Sequence, residues 1–156
     1  MIDSLKILFV GLLTQLAAYL NPISGNIKSL IAVFLLNFLF GLFAALLANK
    51  ESFSFKKAFR CVIEAAALFV LISAIYYVGE HNGNAAGALQ CVSFIAYAVF
   101  YFYGVNIVRN IKTLAEPYGG AFYRLIAFLY YVISVEFIKQ IPFLSNYQQT
   151  GKEATK

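Results

Sequence analysis

Ser29 to Ala48 is a run of twenty residues without a charged side chain, and it limits what this chain can fold into more than any other feature. Wound as a helix, about 20 apolar residues match the ~30 Å hydrocarbon core of a bilayer. The pattern recurs further on. Val62 to Gly79 holds a single charge, Glu64, near its start, and no formally charged residue at neutral pH occurs from His81 to Val108. Backbone groups in hydrocarbon have no water to bond, so runs of this length fold as helices that satisfy themselves. An all-α, polytopic membrane protein follows, with spans at about 29–48, 60–79 and 88–108.

Composition agrees with lipid as the solvent. Hydrophobic residues make up 62% and charged residues 12% of the 156, with a mean hydropathy of +0.76, whereas a soluble domain carries about 25% charged residues. The same inventory excludes several chemistries. One His, two Cys and a single Asp, Asp3, leave no set for a zinc site or a Ser-His-Asp triad. No catalytic, cofactor-binding or metal-binding residue is therefore expected, and no enzyme. The net charge of +5 could suit nucleic acid, but the cations flank apolar runs, where membrane topology explains them. The bilayer is the expected partner, and nucleic acid is not.

Both ends of the chain are less clear-cut. Leu5 to Leu20 is shorter, begins with Lys6 and stops at Asn21-Pro22, a pair that ends helices. It could be the apolar part of a signal peptide, but Asp3 dilutes the basic start and no small-x-small site precedes Asn21. A retained first span at about 5–20 is the preferred reading. Ala121 to Ile138 is interrupted by Arg124 and Glu136. Either both charges reach opposite interfaces and 121–138 is a fifth span, or the segment lies along a surface. Residues 1–139 then form one helical membrane domain and 140–156 a polar tail.

Lys and Arg set the orientation. Lys6, Lys50, Lys56, Lys57, Arg60, Arg109 and Lys112 fall on one side of this topology and Lys28 on the other. The positive-inside rule places the amino terminus in the cytoplasm and the loop around His81 outside. Cys61 and Cys91 then lie at opposite ends of their spans, too far apart for a disulfide.

Helices in lipid associate through small and polar residues rather than by hydrophobic drive. Asn37, Gly41 and Ala45 share one helical face. Gly11 and Gln15, with Thr14 and Ala18, form another. Ser93, Tyr97 and Gly104, with Gln90 and Tyr101, step by threes and fours along a third. These faces serve either packing within one bundle or self-association. Arg60 precedes Glu64 by one turn, the spacing of an ion pair near the cytoplasmic interface.

The order of features resembles the bacteriophage and toxin-secretion holin family over about residues 30–120. The resemblance rests on Asn37-Phe-Leu-Phe-Gly41, the loop Lys50-Glu51-Ser52-Phe-Ser54-Phe-Lys56-Lys57-Ala-Phe-Arg60, and Asn106-Ile-Val-Arg109-Asn110-Ile-Lys112 running on to Glu116-Pro117. Asn37 stands where that family usually has an acid, and Arg109 where it usually has Glu. The resemblance implies a small membrane protein that accumulates, forms homo-oligomers and opens lesions for a lytic enzyme or toxin. Two other classes fit the same residues. One is a structural subunit among the partners of a larger membrane complex or transporter, and the other is a defence effector that depolarises its own membrane.

Overall fold

The computed structural model describes residues 2–52 and 54–141, without the side chains of Ile2 and Lys57. Every regular element in that range is helical. The order is α1 (Ile2–Tyr19), α2 (Ser24–Phe43), α3 (Phe55–His81), α4 (Ala85–Ala115), α5 (Gly120–Tyr131) and a terminal turn, α6 (Phe137–Lys139). Wide π turns, Ala44–Ala48 and Val132–Glu136, continue α2 and join α5 to α6. The polar tail expected from residue 140 lies almost wholly outside the described residues.

Local chemistry accounts for the breaks. Pro22 sits in the first turn of the 3-10 segment Asn21–Ile23, where the missing N–H costs nothing. Pro117 occupies the same place in Glu116–Tyr118, and Gly119 follows with φ 58° and ψ −146°, a conformation open only to glycine. Between α3 and α4, Gly83 takes φ 70°. Asn84 Oδ1 then accepts the Gly87 N–H at 3.1 Å, capping α4.

Among the described residues, four helical stretches are long and apolar enough to cross a membrane: Asn21–Ala48, Ala58–His81, Ala85–Tyr118 and Gly120–Lys139. The last is the stretch whose crossing the sequence left open. The expected span at 5–20 falls within α1, an 18-residue helix with Asp3 in its first turn and Lys6 3.6 Å from that carboxylate. These charges shorten its apolar length below the ~20 residues of a full crossing.

The contacts divide the chain into two units. One comprises Met1–Leu35 and Phe55–Phe100, the other Leu36–Ser54 and Tyr101–Lys156. In the first, Ala88, Val92 and Ala96 of α4 and Ile72 and Tyr76 of α3 are buried at four-residue steps, the spacing of one helical face. A Cβ built on Gly79 would lie 2.4 Å from Cβ of Ala88, so the α3–α4 hairpin closes to a separation that only glycine allows. Tyr19 packs on Tyr76 and Tyr77, with ring centroids 5.7 and 6.2 Å away. The turn after α1 and the turn after α3 therefore lie at the same end of this unit.

In the second unit, Tyr101 of α4 reaches the π turn that joins α5 to α6. Its hydroxyl donates to the Ile133 carbonyl at 2.6 Å, and its ring lies 5.1 Å from that of Phe137. Widening a helix to a π turn disturbs the regular i to i+4 ladder, and the Tyr101 hydroxyl supplies a partner for Ile133 there. Lys112 Nζ stands 5.4 Å from the centre of the Tyr130 ring, within cation–π range.

Candidate assembly and packing faces

The Asn37, Gly41, Ala45 face lies entirely in the second unit. Asn37, Gly41 and Ala45 are each half-buried. A Cβ on Gly41 would lie 3.5 Å from Nδ2 of Asn110, so α4 of the same chain passes over this face at ordinary contact distance. Ala45 falls in the π turn that ends α2, beside the buried Ala44.

The α1 face has a different setting. Nothing outside the helix lies within 4 Å of a Cβ built on Gly11, and Gln15 is exposed. Thr14 turns its hydroxyl back to the Val10 carbonyl at 2.9 Å. This surface is therefore uncovered in the single chain.

The residues of the α4 series differ in their surroundings. Ser93 receives a long hydrogen bond from Asn26 Nδ2 at 3.4 Å, while Gln90 and Tyr97 are exposed. Tyr97 meets the Phe100 ring edge-on, with centroids 6.2 Å apart. Tyr101 is engaged at Ile133, and a Cβ on Gly104 would meet nothing within 4 Å.

The polar groups near the helix ends are paired locally. Arg60 Nε donates to Glu64 Oε1 at 2.9 Å, with the side chains 82% and 45% exposed, an exposure at which the pair adds little stability. Glu136 accepts from Lys139 Nζ at 2.8 Å and from the Tyr131 hydroxyl at 2.5 Å. His81 Nδ1 lies 2.9 Å from the Tyr77 carbonyl, a distance that requires an N–H on that nitrogen. Cys61 and Cys91 are both free thiols. Among the described residues no group of three His, Cys, Asp or Glu comes together to hold a metal.

Two contacts are not evident from hydropathy and spacing. The Gly79–Ala88 approach was hidden because both residues read as small members of apolar runs. Its trace is the cluster of Gly79, Gly83, Gly87 and Ala88 around Asn82 and Asn84. The Tyr101–Ile133 hydrogen bond depends on the π turn, which the residue pattern does not announce.

Residues 14–129 match the bacteriophage holin family, which is most of the chain. The protein belongs to the bacteriophage holin family. The match extends past both ends of the 30–120 resemblance, taking in the second part of α1 and most of α5. No curated protein and no solved structure matches this holin-family chain. Two of the residues that carried the resemblance, Gly41 and Asn110, are the two that meet in the second unit.

Proposed function

We propose that this holin-family protein accumulates in the bacterial cytoplasmic membrane, self-associates and permeabilises it, releasing a lytic enzyme or toxin. The observation that carries the reading is how little of its apolar surface the chain covers for itself. Of the most apolar windows in its four candidate spans, the buried share is 17% in Asn21–Ala48, 11% in Ala58–His81 and in Ala85–Tyr118, and none in Gly120–Lys139. Lipid can cover such surface, but the polar groups on it require protein or water. Gln90 and Tyr97 on α4 and Gln15 on α1 are exposed groups of that kind.

In this reading α1 also crosses, local thinning of the bilayer accommodating its short apolar stretch, so that the amino terminus and the Lys50–Arg60 loop both face the cytoplasm. Having the turns after α1 and α3 at one end supports an alternating topology, and the cation asymmetry supports its direction. The α1 face, together with the exposed Gln90 and Tyr97 of α4, is the assembly surface. Gly41 serves first to let α4 of its own chain approach, and Arg60–Glu64 is an interfacial ion pair. Cross-linking in native membranes, run beside a potential-sensitive dye during induced expression, tests the reading. Homo-multimers with loss of potential support it, and a monomer with the potential intact rejects it.

A further inference from the structure

The first two turns of α3 carry an arrangement that spanning a membrane does not require. The helix begins at Phe55, three residues before its candidate span begins at Ala58. Phe55 and Phe59, one turn apart, are 82% and 67% exposed. Lys56 and Arg60, also one turn apart, are exposed beside them. No acidic residue occurs in the first turn of α3.

Cations here oppose the helix dipole, whose positive pole is at the amino-terminal end. An anion bound alongside would offset that repulsion. The Arg60 side chain is arranged to supply part of such a contact. Its Nε donates to Glu64 Oε1 at 2.9 Å. Its two terminal nitrogens have no acceptor among the described residues. A guanidinium offers a planar pair of donors suited to phosphate oxygens. An exposed phenylalanine pair beside cations is the composition of a surface that sinks into the boundary between headgroups and acyl chains.

We propose that the first two turns of α3 bind anionic phospholipid headgroups, with Arg60 and Lys56 on the phosphate and Phe55 and Phe59 in the acyl boundary beside it. Charge complementarity selects an anionic partner. Continuity with the span that starts at Ala58 selects a lipid of the surrounding bilayer. The surface gives the protein a lipid preference whether or not it permeabilises the membrane.

The test uses the full chain in neutral detergent, offered phosphatidylglycerol or phosphatidylcholine of identical acyl chains, with retained lipid counted by native mass spectrometry. Two cations near an anionic surface favour retention of phosphatidylglycerol by about tenfold or more. The double variant Lys56→Gln with Arg60→Gln brings the two lipids to near parity, whereas Lys28→Gln keeps the preference. Phe55→Ala with Phe59→Ala lowers retention of both lipids and leaves their ratio. Should the double variant lose helicity by circular dichroism, Lys56→Gln alone, outside the span, lowers the ratio about fivefold. Equal retention by the unaltered protein, a ratio that survives loss of both cations, or displacement of the lipid by inorganic phosphate overturns the proposal.

Discussion

A Cβ on Gly41 would stand 3.5 Å from the Nδ2 of Asn110, so α2 and α4 meet in the second unit where one of them lacks a side chain. A methyl group at that distance makes ordinary van der Waals contact. Gly41→Ala is therefore tolerated, and can gain ~0.5–1 kcal/mol from the lower backbone entropy of the unfolded chain. Gly41→Leu forces Asn110 aside at about 1–3 kcal/mol. Thermal unfolding in detergent, followed by circular dichroism, separates the two. Equal melting of both variants would mean that α4 does not cover position 41.

The α3–α4 hairpin gives a sharper contrast. A Cβ at position 79 would lie 2.4 Å from that of Ala88, closer than two carbons approach. Gly79→Ala lowers stability by about 1–3 kcal/mol through overpacking, and Ala88→Gly on the same chain restores much of it. A coupling energy above ~0.5 kcal/mol in the double-mutant cycle is the expected result. Strict additivity would separate these residues.

Tyr101 and Tyr97 are one turn apart on α4 but differ in their hydroxyl environment. Tyr101 donates to the Ile133 carbonyl at 2.6 Å, and Tyr97 is 68% exposed. Tyr101→Phe should cost about 0.6 kcal/mol, the usual scale for such bonds in lipid, whereas Tyr97→Phe leaves the monomer's stability unchanged. If Tyr97 lies against a second copy, its loss appears instead as fewer cross-linked multimers.

Membrane length was the part of the fold written most plainly in the residues. The charge-free stretches 29–48 and 81–108 left few places to end a helix, and lipid left no alternative to helices. Pairing was less visible. Gly41 could be recognised as a small residue on a face, but nothing in the sequence specified Asn110 of the same chain as its neighbour. Gly79 and Ala88 looked like ordinary members of apolar runs because close approach depends on the hairpin geometry set by Gly83 and Asn84. The π turn at Val132–Glu136 depends on a shift in hydrogen bonding and on Tyr101, 31 residues before its first residue. The role of 121–138 turned on Arg124 and Glu136, and Glu136 is accommodated by Tyr131 and Lys139 on the same helical segment.

Topology can be read with single cysteines in a background where Cys61 and Cys91 are replaced by Ala, since Cys91 is exposed. In intact cells an impermeant thiol reagent should label a cysteine at Asn82 and spare those at Ser54 and Asn110. Labelling at Thr150 should match Asn82 if Gly120–Lys139 crosses. The reverse pattern at Asn82 and Ser54 would invert the protein, and protection at Thr150 would place 120–139 at the interface.

Permeabilisation is tested most directly by a potential-sensitive dye in bacteria during induced expression, with the membrane content of the protein measured in parallel. The account predicts that the potential collapses as the full-length protein accumulates in the membrane, and that a variant unable to form multimers accumulates equally without collapse. A potential that stays intact while unaltered protein reaches the same membrane level would contradict it.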